Sequence, residues 1–169
     1  PFPELLTPTD DLETALTSGP NMVICAVPSH GMRAMVKRVR DVFDRNPALA
    51  APMYLIAAKG IEVESLDNMH AVLEQELPES HRPNIAALGG PSFAAEVAGE
   101  KPSMVVVGAE HGRTVTAFQT MLSGSNMRAY FTEDVLGVEM GGTVKNVIAL
   151  AAGIGDGAGL GLNARAGLI

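Results

Sequence analysis

The chain has 169 residues, 47% of them hydrophobic and 18% charged, so a packed core is feasible and global disorder is disfavoured. A net charge of −7, the absence of tryptophan and the lack of any basic run argue against nucleic-acid binding. Cys25 is the single cysteine, which rules out an intrachain disulfide and fits a reducing, cytoplasmic setting. No apolar run reaches the roughly 20 residues that cross a bilayer, so no membrane span is expected.

In chain order, the start PFPELLTPTD is proline-rich and acidic, unlike a signal peptide. The chain opens on Pro1 and stops in LNARAGLI inside an apolar pattern, which is read as a fragment cut at both ends. Four apolar runs read as buried strands: MVICAVP (22–28), MYLIAAKG (53–60), NIAALGG (84–90) and SMVVVGA (103–109). A shorter one, RAYFT (128–132), is a fifth. Their near-continuous apolarity predicts a sheet covered on both faces. Between them lie helical stripes. The first follows Ser29, taken as its N-cap, with Met32, Met35, Val36, Val39, Val42 and Phe43 on one face and Arg33 to Arg40 as a solvated face. Leu66, Met69, Leu73 and Leu77 mark a second helix, and Val115, Phe118, Met121 and Leu122 a third. From about Glu133 a long helix begins, capped by Thr132 or Asp134, with no strand after it. Strands alternating with helices predict a doubly wound α/β domain, and the boundary is placed at 132–134.

Ligands of open α/β sheets bind beyond the carboxyl ends of the strands. Three such ends are chemically loaded here: VPSHG, AAKG and GGPSFA. His70, His81 and His111 read as solvated, and no metal-ligand spacing links the histidines, so no metal site is expected. Gly159 to Ala164 spells G-x-G-x-x-[GA] but follows a helix, so it reads as a helix break.

The stretch GVEMGGTVKNVIALAAG (137–153) holds one charge in its second half, Lys145, among glycines, alanines and aliphatics. On a helix, Gly137, Gly141, Lys145 and Ala149 share one face. Each interior glycine costs on the order of 1 kcal/mol against alanine. Either close backbone packing or a ligand groove compensates. In a groove, Lys145 could serve as a general base and Asn146 could orient a hydroxyl or carbonyl.

The motifs VPSH, AAKGIE, GGPSFAAEVA and GVEMGGTVKNVIALAAGIGDGAGLGLNARAGLI, in this order, resemble the central part of bacterial NAD(P)-dependent glycerol-3-phosphate dehydrogenases. The resemblance runs from about Asn21 to Ile169. It implies a partial Rossmann-like nucleotide-binding domain (1–132) followed by the start of an all-α substrate domain (133–169). It also implies interconversion of sn-glycerol 3-phosphate, a phosphorylated small molecule, with dihydroxyacetone phosphate. NAD or NADP would be the cofactor, and the product would feed phospholipid synthesis. Lys145 matches the proton acceptor. Lys59 matches a lysine near both cofactor and substrate, Gly90 and Ser92 match substrate-contacting positions, and Ala94 matches a cofactor contact. The family's glycine-rich cofactor loop and its later phosphate-binding stretch are not in this sequence, so the isolated segment is expected to be catalytically silent. Homo-oligomerisation stays open. The rivals are a β-hydroxyacid dehydrogenase of the 6-phosphogluconate type and a silent interaction module. The adjacent pair Lys145-Asn146 argues against the first, because that group carries its asparagine several residues further on.

Overall fold

The computed structural model describes residues 4–124 and 126–169; the first three residues of the proline-rich start lie outside the described residues. All five expected strands form: β1 (Met22–Cys25), β2 (Met53–Ile56), β3 (Ile85–Gly89), β4 (Ser103–Gly108) and β5 (Met127–Thr132). They make one sheet in the order β1-β2-β3-β4-β5. Pairing is parallel except between β3 and β4, which run antiparallel. The reason lies in the connections. A parallel return needs a crossover of a dozen or more residues, usually through a helix. The helices α2 (Ser29–Arg45), α3 (Met69–Glu76) and α5 (Gly112–Leu122) supply such crossovers. The connection between β3 and β4, residues 90–102, is long enough for a crossover but holds only the five-residue α4 (Ala94–Ala98), about 7.5 Å of helix and too short to carry the chain back along the sheet, so β4 runs antiparallel.

The short α1 (Leu12–Thr17), capped by Asp11, precedes the sheet. Leu16 of α1, the α2 stripe Met32, Val36, Val39, Val42 and Phe43, and Met69, Val72 and Leu73 of α3 form one core with Cys25, Tyr54, Ile56 and Ile85. Phe118 of α5 packs with Leu55, Ala86 and Val107 on the opposite face. Both faces are thus covered at the centre, as expected, but not at the rims. Ile24 on edge strand β1 is 56% exposed and Met104 on β4 is 60% exposed.

Several local readings are corrected. Ser29 is the first residue inside α2, and the cap position is Pro28, with no side-chain bond. Leu66 is not helical: it has φ +62 and is exposed, and Asn68 caps α3 instead. His70 and His81 are buried rather than solvated. His81 Nδ1 lies 2.8 Å from Tyr54 Oη, and burial lowers the pKa of this imidazole. Arg33 does not sit on a solvated face. It is bonded to Glu62 at 2.7–2.9 Å and to Glu76 at 2.7 Å, tying α2 to the loop after β2 and to α3.

That network gives a testable pH dependence. Arg33 holds the Glu62 carboxyl down at about 2, from an ordinary 4.5. A carboxylate depressed in the folded state contributes stability above its unfolded pKa and loses it as pH falls through the folded value. Arg33→Ala in the full-length protein should therefore lower Tm at pH 7, and its deficit against wild type should shrink between pH 4.5 and pH 2. A deficit that does not change with pH would assign the effect to lost packing.

The long helix α6 (Val135–Gly157) follows β5, and α7 (Gly161–Leu168) ends the chain. The expected helix break is present: Gly159 and Gly161 have φ +70 and +82. Asp156 and Arg165 pair across it. With 23 residues, 18 of them in a window of mean hydropathy 1.3, α6 is long and apolar enough to cross a membrane by length and composition, contrary to the count of apolar runs. Its first turns pack on β3 and β4.

Candidate active site

Two strand glycines bring α6 onto the sheet. A Cβ on Gly89 would come within 2.9 Å of Val138, and one on Gly108 within 2.9 Å of the Val135 backbone. Asp134 starts the helix by accepting from Gly137 N at 2.8 Å, and a Cβ on Gly137 would strike that carboxylate. These contacts are the close-packing explanation for glycine. Gly141 has no such explanation, because a Cβ there would meet nothing within 4 Å. Its bare face opens onto a cavity of about 570 Å³.

That cavity lies between α6, β4 and the loop after β3. Lys59, Gly90, Ser92 and Lys145 all line it. Lys59 comes from the loop beyond β2, three residues past the end of the strand rather than on it. Its Nζ donates to the Gly90 carbonyl at 3.2 Å. Its aliphatic stem runs along α6, where a Cβ on Gly142 would lie 3.5 Å from Lys59 Cγ. Burial and the positive charge of Lys145 both lower the Lys59 pKa, in that order. Two ammonium groups therefore face one space, an arrangement that suits an anionic or oxygen-rich ligand. Gly90 takes φ +101, a conformation that side-chain-bearing residues rarely adopt.

Four of the six residues expected at the site are thus brought together. Asn146 and Ala94 are not in the cavity lining. Asn146 is exposed one residue beyond Lys145, and Ala94 opens α4 next to Phe93, which does line the cavity. The sequence reading missed Val106, Thr132 and Asp134 as wall residues. It also missed Glu139, a buried carboxylate on α6. The signal for Glu139 is the one applied to Lys145: a charge set in a glycine-rich apolar helix. Among the described residues no group of three or more His, Cys, Asp or Glu is placed to hold a metal.

A mostly parallel sheet with crossover helices, followed by a helix that carries a lysine over the strand ends, defines a Rossmann-like dinucleotide-binding domain joined to the beginning of a helical domain. Sequence comparison agrees with that class. Residues 1–115 match the family model for the NAD-dependent glycerol-3-phosphate dehydrogenase N-terminus, and residues 134–169 match that for its C-terminus. The chain belongs to the NAD-dependent glycerol-3-phosphate dehydrogenase family.

It is 39% identical over its whole length to glycerol-3-phosphate dehydrogenase [NAD(P)+] of Myxococcus xanthus, covering 49% of that protein. It is 44% identical over 91% of its length to the protein of the same name from Syntrophotalea carbinolica, covering 45% of it. Among solved structures, glycerol-3-phosphate dehydrogenase from Coxiella burnetii matches 99% of the chain with TM-score 0.79 and 32% identity, over 49% of that structure. The chain spans about half the length of the curated relatives it matches.

Proposed function

We propose that the full-length protein carrying this segment is an NAD(P)-dependent oxidoreductase that interconverts sn-glycerol 3-phosphate and dihydroxyacetone phosphate in the cytoplasm, supplying glycerol phosphate for phospholipid synthesis. The observation that carries this reading is the meeting of Lys59 and Lys145 in one glycine-floored cavity. Membership of the family supports the choice of substrate. In this reading residues 1–132 are the later part of the nucleotide-binding domain and residues 133–169 begin the helical substrate domain.

The cavity residues fit the reactive end of a dinucleotide beside a three-carbon substrate. The space beside Gly141 is open, and the volume of about 570 Å³ is in the range of small-molecule sites. In the direction of oxidation, neutral Lys145 Nζ takes the proton from the secondary hydroxyl at C2. Such a base acts only from within hydrogen-bond reach of that proton. The Lys59 ammonium faces the same oxygen and stabilises the negative charge that develops on it. NAD(P), when bound, supplies the acceptor for the hydride from C2. In the reverse direction the Lys145 ammonium returns the proton to the oxygen. Gly90, Ser92 and Asn146 contact the substrate, and Ala94, with Lys59, contacts the cofactor.

The direct test is dihydroxyacetone-phosphate-dependent oxidation of NADH or NADPH by the purified full-length protein. Turnover at ordinary enzyme rates is expected. Absence of turnover, or a clear preference for 6-phosphogluconate oxidation, would overturn the reading.

Lys59 has its own test. Lys59→Met keeps the stem against Gly142 and removes the charge. The full-length variant should lose about tenfold or more in kcat/KM with Tm nearly unchanged. An unaltered kcat/KM would leave Lys59 as a hydrogen-bond link to Gly90 and nothing more.

A further inference from the structure

Helix α6 meets the sheet through small and apolar contacts: Val138 over Gly89 and Val135 over Gly108. Contacts of this kind allow close approach, but they are non-directional and resist sliding and rotation poorly. Among the described residues, α6 makes a single side-chain hydrogen bond to another part of the nucleotide-binding domain. Glu139 Oε1 accepts from the His70 backbone N–H at 2.9 Å. His70 is the second residue of α3, whose N-terminal N–H groups have no partner within the helix. Glu139 therefore caps α3 from another element.

The arrangement is costly. Glu139 is 8% exposed, and its Oε2 is buried with no hydrogen-bond partner. Burial pushes the carboxyl up to about 7 despite the bond from the His70 N–H. An apolar residue at this position would remove that cost, so stability alone does not account for a glutamate here. What Glu139 supplies is direction. One turn of helix joins it to Gly142, which lies along the Lys59 stem, and Lys145 follows within a further turn. The rotation of α6 that seats Glu139 on α3 also sets Gly142 on Lys59 and turns Lys145 into the cavity.

We propose that Glu139 is the positioning residue that fixes α6, and with it Lys145, against the Lys59 loop. This rests on the assignment of Lys145 and Lys59 to the reaction site. Glu139 touches neither substrate nor cofactor in this account and acts through the helix that carries the base.

The test compares Glu139→Ala with Glu139→Gln in the full-length enzyme. Glutamine keeps the acceptor oxygen and the side-chain length. Alanine is expected to lower kcat about tenfold or more while KM for NAD(P)H stays within about twofold, and glutamine to restore at least half of the wild-type kcat. Amide hydrogen exchange should show faster exchange at 69–71 and along 139–146 in the alanine variant, but not in the glutamine variant. Exchange does not depend on turnover, so it separates failure of this proposal from failure of the functional reading, which the wild-type assay tests by itself. If alanine prevents folding, Glu139→Asp takes its place, because it keeps the charge but stops a methylene short of α3. Unchanged kcat and exchange in alanine, or a loss in glutamine as large as in alanine, would overturn the proposal.

Discussion

Lys145→Ala in the full-length enzyme is expected to lower kcat by about 10²-fold or more while leaving the affinity for NAD(P)H nearly intact. The side chain lines the cavity but packs nothing essential. It is exposed, and α6 is gripped elsewhere, through Val135 and Val138 on the sheet and Glu139 on α3. Truncation should therefore cost little stability, and Tm should stay within a few degrees of wild type. An added primary amine small enough for the vacated space should recover part of the lost rate. A loss of proton acceptance predicts that pattern, whereas a loss of fold does not. Near-normal kcat in the alanine variant would remove Lys145 as the base and leave Lys59 as the remaining amine at the site. A fall confined to KM would instead make Lys145 a binding group.

Much of this site was legible because its signals are local. The five strands could be read because buried strands are short apolar runs, and α6 because its pattern breaks the strand rhythm. Lys145 stood out against glycines that a helix tolerates poorly. What could not be read depends on partners far away in sequence. The apolar run at β2 reads as strand through Lys59, but its ladder ends at Ile56, because Lys59 leaves the sheet to reach the Gly90 carbonyl 31 residues on. His81 reads as solvated in the sequence because its partner Tyr54 lies 27 residues earlier. Glu139 was passed over because α3, which it caps, is 69 residues away. Apolar runs also carry no sign of direction, so the antiparallel step from β3 to β4 was invisible. With six and five residues, α1 and α4 are too short to show a helical period.

The glycines of GGPSFA were ambiguous in sequence, since a tight turn and a close ligand approach demand the same residue. The structure separates two kinds of glycine at this site, and substitution should separate them in the same way. Gly90 has φ +101, and a Cβ there would lie 2.8 Å from the Met104 carbonyl oxygen and 3.1 Å from Val105 Cα. Both obstacles are backbone of β4 and cannot rotate aside. The strained conformation costs on the order of 1–3 kcal/mol and the overlap a similar amount. Gly90→Ala should therefore destabilise the full-length protein by about 3 kcal/mol or more in urea denaturation. It should also lower kcat/KM, because the Gly90 carbonyl that holds Lys59 moves with the loop. Gly141 is the opposite case. Nothing lies within 4 Å of a Cβ there, and the residue sits inside α6. Alanine at 141 should hold or raise stability, by up to about 1 kcal/mol from helix propensity. Its methyl group nevertheless projects into the cavity beside Lys145, so substrate use should fall. A Gly90→Ala protein as stable as wild type would show that the loop relaxes freely and that neither turn nor site requires glycine. A Gly141→Ala protein with full kcat/KM would place the substrate away from this face of α6, and with it the chemistry assigned to Lys145.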